Sequence, residues 1–233
     1  MDLSALKKAV YDANIELVRR NLVIYTWGNV SAIDREQGLV VIKPRGIAYE
    51  ELGPEDMSVT DLEGNQIGEG LLPSVDLDIH LEIYRQFPEI GAIAHTHSTY
   101  ATAWSQACKE IPVYGTTHAD HFYGPIPCAR PLTEAEVETD YERNAGKVIC
   151  ETLKGRNPLE MGGILTAGHG PFTWGKDADA AVAHSVILEE LAKMAYLTSE
   201  LEGGRKRVLP SYMVKKHYTR KYGPGSYFYQ SKK

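Results

Sequence analysis

The stretch Gly91-Ala92-Ile93-Ala94-His95-Thr96-His97 organises this chain, because it has the composition of a buried strand and ends in two histidines. Side chains on a strand alternate between the two faces of a sheet, so His95 and His97 point to the same face. A neutral imidazole is a common ligand for transition metals, and two of them on one rigid strand can share an ion. Taken alone, the pair is equally compatible with two exposed histidines at a strand end.

Length and composition are those of an ordinary globular protein. The 233 residues, of which 43% are hydrophobic, suit one sizeable domain or two small ones. A formal net charge of −6 argues against a nucleic-acid partner. The apolar runs are too short to span a membrane and residues 1–4 show no leader pattern, so we expect a cytoplasmic protein with no membrane partner. Three cysteines without a C-x-x-C pair, Cys108, Cys128 and Cys150, predict free, buried thiols.

Apolar spacing and capping residues predict five helices. Pro88 ends the second of them and Ser98 can cap the third. Thr133 and Glu136 form a capping box at the start of the fourth. The helices cover about residues 3–20, 76–87, 99 onward, 134 onward and 177–201.

Runs rich in β-branched and aromatic residues predict the strands. They cover residues 22–25, 39–42, 57–60, 66–68, the histidine stretch, 163–166 and 171–174. Gly28-Asn29 is expected to separate the first two, and Gly64-Asn65 to supply a hairpin turn. Because helices and strands are interspersed with short connections, we predict a single α/β domain over residues 1–233. It would have three α/β/α layers around a central mixed, mostly antiparallel sheet.

His169 and Asp76 are candidate partners for the histidine strand. His169 lies between Gly168 and Gly170 at the end of a strand, so a tight turn can deliver a third imidazole, unless it is an isolated turn histidine. Three imidazoles leave the open coordination position that a catalytic metal needs. Asp76 opens a predicted helix and can be a cap, a fourth ligand or a base.

The remaining candidates lie in polar or cationic stretches. Residues 115–121 read Gly-Thr-Thr-His-Ala-Asp-His and form a wall of the site in our interpretation, with Asp120 the best candidate for general acid or base. His118 and His121 are less favoured as ligands. Lys43-Pro44-Arg45-Gly46 suits a phosphate or carboxylate, and the amides of residues 27–31 suit the same oxyanion, although both can be plain turns. The basic tail adds residues that either reach a site on a neighbouring subunit or simply dock: His217, Arg220, Tyr227 and Tyr229.

Taken in order, these pieces resemble the class II aldolase and L-ribulose-5-phosphate 4-epimerase family, and within it the epimerases. His-Thr-His at 95–97 with His-Gly-Pro at 169–171 marks the superfamily. Thr-Trp-Gly-Asn-Val-Ser at 26–31, Gly-Thr-Thr-His-Ala-Asp at 115–120 and Tyr-Gly-x-Ile-Pro-Cys at 123–128 are narrower matches. The resemblance runs from the first helix to the tail.

This resemblance implies one divalent metal per subunit, Zn²⁺ or alternatively Mn²⁺ or Co²⁺, held by His95, His97 and His169 with Asp76 near or on it. The implied enzyme is an isomerase of arabinose catabolism that inverts C4 of L-ribulose 5-phosphate to give D-xylulose 5-phosphate. The inversion would begin with retro-aldol cleavage of the C3–C4 bond, which leaves an enediolate stabilised by the metal as Lewis acid. The released aldehyde would rotate and then add back to the enediolate. An aldolase, a 4-epimerase of an unphosphorylated ketose, and a non-catalytic module like the cytoskeletal head domains of this fold are the alternatives.

The same resemblance assigns roles to the other candidates. Asp120 would exchange a proton with the C4 oxygen on one face of the substrate. A tail tyrosine of the adjacent subunit, Tyr229, would do so on the other face. Asp76 and His217 would complete the catalytic set. The family forms homotetramers with interfacial active sites, where the tail from about residue 203 would pack. The phosphate would be held by Asn29, Lys43, Arg45, Gly46, Ser74, Thr116 and Arg220.

Three departures from the epimerase pattern concern these roles. Epimerases usually have serine where this chain has Arg45 and where it has Val75, so two hydroxyl donors for phosphate are missing. Arg45 either replaces them with a charge-assisted contact or shifts the preference to another ketose. The family's tail tyrosine aligns with Phe228, and a shift of one residue to Tyr229, or less favourably to Tyr227, restores the hydroxyl.

Overall fold

We describe a computed structural model of the chain, which covers residues 2–203, 207–222 and 226–228. The helices are α1 (Ser4–Arg19), α2 (Leu77–Gln86), α3 (Thr99–Gln106), α4 (Thr116–Ala119), α5 (Glu134–Leu153), α6 (Pro158–Met161), α7 (Ala178–Leu201) and α8 (Ser211–Tyr222). The strands are β1 (Gly28–Asp34), β2 (Leu39–Ile42), β3 (Ser58–Asp61), β4 (Ala92–Thr96), β5 (Cys128–Ala129), β6 (Gly163–Thr166) and β7 (Pro171–Gly175). In this part of the chain, no helix is both long and apolar enough to span a membrane.

The strands form one seven-stranded sheet in the order β3-β2-β1-β4-β7-β6-β5. All neighbours pair antiparallel except β5 and β6, which pair parallel. Helices cover both faces of the sheet, with α2 and α5 on one face and α1 and α7 on the other. The predicted single α/β domain with a mixed, mostly antiparallel sheet is therefore confirmed.

The strands are buried on both faces because their apolar residues alternate between two cores. In β2, Val40 and Ile42 pack into a cluster with α2 and α5, whereas Leu39 and Val41 pack into another with α1 and the first turns of α7. A third cluster joins α3 to the second half of α7. The face of the sheet under α2 and α5 carries the candidate site.

Two predicted strands are wrong. Residues 22–24 have no regular secondary structure and Tyr25 begins a turn, since Asn21 and Tyr25 adopt positive φ angles of 57° and 53°, and β1 begins only at Gly28. Gly28 is thus the first residue of a strand and not a separator. A Cβ at Gly28 would lie 2.7 Å from the carbonyl oxygen of His95, so glycine permits the close approach of β1 to β4. Residues 66–68 form only a single bridge, between Gln66 and Thr60.

The five predicted helices are present as α1, α2, α3, α5 and α7. The capping box of Thr133 and Glu136 is confirmed at α5. Ser98 does not cap α3 as expected, because the carboxylate of Glu189 accepts the first backbone N–H groups instead. The three cysteines are free, but Cys108 is exposed and the other two are partly buried, so the expectation of buried thiols is wrong.

Candidate metal centre and its cleft

Strands β1, β4 and β7 place three side chains in one row across the sheet. Backbone pairing sets Asn29 opposite His95, and His95 opposite Phe172. They share the face under α2 and α5, because Ile93, two residues before His95, packs into the core on that face. The ring of Phe172 stacks on that of His95, with centroids 4.2 Å apart and an interplanar angle of 18°. Sheet register and ring stacking therefore fix the orientation of His95.

The imidazoles of His95, His97 and His169 form one group. Their candidate ligand atoms all lie within 4.8 Å of one another. Nδ1 of His95 lies 3.0 Å from the carbonyl oxygen of Pro171, to which its N–H donates, so Nε2 is left as the ligand atom. Nε2 of His95 and Nε2 of His97 lie 3.1 Å apart. The three rings thus converge on one point, as the sequence predicts.

His169 reaches this point from the tight turn between β6 and β7. Gly168 has a φ of +73°, which favours glycine. A Cβ at Gly170 would lie 2.6 Å from the carbonyl oxygen of Thr96, so this second glycine lets the turn approach β4. Both glycines that flank His169 are therefore needed to deliver its ring.

Burial keeps the three imidazoles neutral, which is the form that binds a metal. It lowers the pKa of His95 to about 3, and it also lowers the pKa of His97 and of His169 below the ordinary value. Among the described residues, Nδ1 of His169 is buried without a hydrogen-bond partner. Three neutral imidazoles with an unpartnered ring nitrogen fit a divalent ion such as Zn²⁺, Mn²⁺ or Co²⁺.

Asp76 stands beside this group at the N-cap position of α2, but its side chain makes no cap hydrogen bond. Its carboxylate instead accepts from Nδ2 of Asn29 at 2.7 Å and from the Ser74 hydroxyl at 3.4 Å. Burial raises the pKa of Asp76, but the nearby histidines, His95 first, outweigh this effect and bring it below the ordinary value. An ionised carboxylate at this position is available as a ligand or a base.

A buried polar network lies under Asp76. His80, one helical turn further along α2, is fully buried, and its Nδ1 lies 2.7 Å from the hydroxyl of Ser31. The same hydroxyl lies 2.7 Å from that of Tyr84. Burial lowers the pKa of His80 to about 4, so the ring is neutral. Sequence reasoning missed this network, although the i, i+4 spacing of Asp76 and His80 on α2 is a signal for it.

An open cleft of about 370 Å³ lies at the histidine group, and we name it the histidine cleft. It is lined by residues 26–29, 43–46 and 74–76, by His97 and His169, and by Tyr141 and Glu142. It brings together most of the predicted anion-binding residues: Asn29, Lys43, Arg45, Gly46 and Ser74. Trp27 adds an exposed ring whose centroid is 6.4 Å from that of His97.

Lys43 and Arg45 give the cleft its positive charge. Nζ of Lys43 donates to the carbonyl oxygens of Pro44 at 3.2 Å and Ile47 at 3.0 Å and lies 4.7 Å from the ring centroid of Tyr49. Burial lowers the pKa of Lys43 to about 8, which leaves it mainly cationic at neutral pH. Arg45 is exposed and has no ion-pair partner in the described part of the chain. One anchored and one unpaired cation thus face the same cleft.

Asp120, His217 and Arg220 form a second polar group, which does not line the histidine cleft. Nε and Nη2 of Arg220 donate to the two carboxylate oxygens of Asp120 at 2.9 and 2.5 Å, and Nδ1 of His217 donates at 3.0 Å. Burial raises the pKa of Asp120, but the bonds from Arg220 and His217 lower it overall. Thr116, whose carbonyl oxygen accepts from the backbone N–H of Asp120, begins α4 beside this group.

The other sequence candidates lie apart from the histidine group. Nε2 of His118 lies 2.9 Å from the carbonyl oxygen of Gly124, and Nε2 of His121 lies 3.3 Å from Nζ of Lys221. Tyr229, our candidate tail acid–base residue, lies outside the described residues. Sequence reasoning also missed Tyr141 and Glu142, because the capping box predicts α5 but nothing marks which of its residues face the cleft.

Similar proteins are found over nearly the whole chain. The model of the family described as class II aldolase and adducin N-terminal domain matches residues 8–196. Among solved structures, an L-fuculose 1-phosphate aldolase is 28% identical, with a TM-score of 0.79 over 93% of this chain and 96% of that one. The L-fuculose-1-phosphate aldolase from Thermus thermophilus is 26% identical, with a TM-score of 0.68 over 88% and 98%. YgbL from Klebsiella pneumoniae is 25% identical, with a TM-score of 0.73 over 93% and 99%.

Proposed function

Because the chain belongs to the class II aldolase and adducin N-terminal domain family, we propose that it is a metal-dependent epimerase of a ketose phosphate. The reaction would convert L-ribulose 5-phosphate to D-xylulose 5-phosphate by cleavage and re-formation of the C3–C4 bond. The observation that carries this proposal is the convergence of three neutral histidines on a cleft that also holds two cations. The motif at residues 115–120 favours the epimerase within the family.

The metal would be held by His95, His97 and His169, with Asp76 beside them. When bound, a divalent ion supplies Lewis-acid polarisation of the ketose carbonyl, whose oxygen gains negative charge as the carbon–carbon bond breaks. The Asn29 amide holds the Asp76 carboxylate in place through its 2.7 Å hydrogen bond. Retention of all three histidines argues against a non-catalytic module of this fold.

The substrate phosphate would lie against Lys43, Arg45, Gly46, Asn29 and Ser74. An ammonium group has three donors, and two of those of Lys43 are used by backbone carbonyls, so one is left for a ligand. Arg45 has no ion-pair partner among the residues described, and its guanidinium can bind a phosphate through two parallel hydrogen bonds. These two cations favour a phosphorylated substrate over an unphosphorylated ketose.

Proton exchange would involve Asp120 and the tail. The lowered pKa of Asp120 keeps it ionised and able to accept the proton that the C4 hydroxyl loses on cleavage. Because Asp120, His217 and Arg220 lie off the histidine cleft of their own chain, the site would be completed at an interface between subunits. This arrangement supports the proposed homotetramer, in which Tyr229 of the tail is the second acid–base group.

An aldolase is the second candidate, because an L-fuculose 1-phosphate aldolase is 28% identical over nearly the whole chain. Incubation of the Mn²⁺- or Zn²⁺-loaded protein with L-ribulose 5-phosphate separates the two reactions. Formation of D-xylulose 5-phosphate without free aldehyde supports the epimerase. Accumulation of glycolaldehyde phosphate excludes it and favours the aldolase, which L-fuculose 1-phosphate then tests directly. Purified protein without stoichiometric metal would instead indicate the non-catalytic module.

A further inference from the structure

Helix α5 is interrupted at the point where it passes the histidine cleft. Asp140 has φ −165° and ψ 82°, an extended conformation that breaks the helix between residues 139 and 141. Nδ2 of Asn144 donates to the carbonyl oxygen of Glu136 at 2.8 Å and to the hydroxyl of Thr139 at 3.1 Å. The Asn144 amide thus bridges the interruption, so the break is a stabilised feature of α5.

The segment after the break is held firmly against α2. Nε of Arg143 donates to the carboxylate of Glu82 at 2.9 Å. A Cβ at Gly146 would lie 2.7 Å from Cβ of Glu82, which shows how closely the two helices pack. Since α2 begins next to Asp76, beside the histidine group, this packing fixes the start of the second segment over the same group.

Tyr141 is the first residue after the break, and its side chain lines the histidine cleft together with Asp76, His97 and His169. It also borders a small cavity of about 20 Å³ that His169 lines as well. Tyr141 is 38% exposed, and its phenol hydroxyl makes no hydrogen bond to the part of the chain that the structure describes, so the hydroxyl is accessible to a ligand in the cleft. An unpaired hydroxyl therefore lies beside the site where a substrate would bind.

We propose that Tyr141 is a catalytic residue of this site, whose hydroxyl donates a hydrogen bond to a substrate oxygen that becomes negatively charged at the histidine group. The inference rests on the proposed function, since that reaction places an anionic oxygen in the cleft. No proton is transferred: the phenol keeps its hydrogen and stabilises the charge as it develops.

The surroundings of Tyr141 favour a donor over a base. Burial raises the pKa of its phenol, and the carboxylates of Asp76 and Glu142 raise it further, so the hydroxyl stays protonated at neutral pH. A donor aimed at an oxyanion in a partly enclosed site typically contributes about 100-fold or more to turnover. Phenylalanine at this position keeps the ring packing and removes only the hydrogen bond.

The experiment compares the wild type with Tyr141→Phe and with Tyr196→Phe. Tyr196→Phe is the matched control, because Tyr196 is a half-exposed tyrosine of α7 that lies outside the cleft. Two readouts are measured on metal-loaded protein: epimerase kinetics, and calorimetric binding of glycolohydroxamate, whose two adjacent oxygens mimic an enediolate. Metal content and thermal unfolding of each variant show that it is folded and loaded. For Tyr141→Phe we expect kcat to fall about 100-fold with KM changed by less than about threefold, and the Kd of glycolohydroxamate to rise at least about tenfold. The Tyr196→Phe variant should match the wild type.

Wild-type kinetics and hydroxamate affinity in loaded Tyr141→Phe would overturn the role of Tyr141, whichever reaction the protein catalyses. A fall in KM and kcat together, without weaker hydroxamate binding, would also overturn it, because a transition-state donor does not act in that way. Weaker hydroxamate binding by Tyr141→Phe supports the role even if the wild type fails to epimerise L-ribulose 5-phosphate. In that case the proposed reaction fails and the inference about Tyr141 stands.

Discussion

Acidification should destabilise the metal-free protein strongly, because three histidines are buried in the neutral form. His80, His95 and His118 are 0%, 1% and 3% exposed. Burial lowers their pKa from an ordinary 6.5 to about 4, about 3 and about 4. Below about pH 6.5 the unfolded chain binds protons at these rings, whereas the folded chain does not do so until about pH 4 or lower. Stability is therefore full above pH 6.5 and falls as the pH drops from there.

The size of the loss follows from these pKa values. At about pH 5, each histidine that titrates at 6.5 when unfolded and at 4 or below when folded costs about 2 kcal/mol of unfolding free energy. The three together cost about 6 kcal/mol, which is comparable to the whole stability of many domains. His97 and His169, whose pKa is also lowered by burial, act in the same direction.

Urea unfolding of chelator-treated protein at about pH 7.5 and about pH 5, followed by circular dichroism, measures this loss. His118→Gln is the matched variant, because His118 lies outside the metal group and glutamine can still donate to the Gly124 carbonyl. We expect the pH-dependent loss to be about 2 kcal/mol smaller in His118→Gln than in the wild type. Equal losses in the two proteins, or a wild-type loss below about 2 kcal/mol, would refute the argument from burial.

Three further predictions concern metal and catalysis. His169→Ala should lower zinc affinity at least about 100-fold, measured by competition with a chelator, and stoichiometric zinc in the purified variant would contradict the ligand assignment. Asp120→Asn should lower epimerase turnover about 100-fold with full metal content, and an unchanged rate would remove Asp120 from the mechanism. Arg45→Ala should raise the KM for L-ribulose 5-phosphate about tenfold at similar kcat if Arg45 contacts the phosphate, whereas an unchanged KM would place Arg45 outside the phosphate site.

The alternation of side chains on a strand is why the floor of the site could be predicted from the sequence. His95 and His97 share a face by the periodicity of β4 alone, and Gly168 and Gly170 around His169 indicate a tight turn. The burial of β2 on both faces likewise follows from its unbroken apolar run.

What could not be predicted depends on contacts distant in sequence. Apolar residues 22–25 have high β propensity, but the backbone turns at Asn21 and Tyr25, so the strand begins later. Glu189, on a helix far along the chain, replaces Ser98 as the cap of α3. The same is true of Tyr141, which lines the cleft directly after the interruption of α5 at Asp140. The local sequence pattern carries no information about contacts between residues that are far apart in the chain.

Strand β4 is the middle strand of the seven, and this position has a consequence for the dynamics of the centre. All its residues are buried and it pairs on both sides, with β1 and β7. Local fraying that exposes an edge strand such as β3 cannot reach it, so its amide hydrogens should exchange with deuterium only when the whole sheet opens. The backbone that carries His95 should therefore keep its position during any local opening at the edges of the sheet.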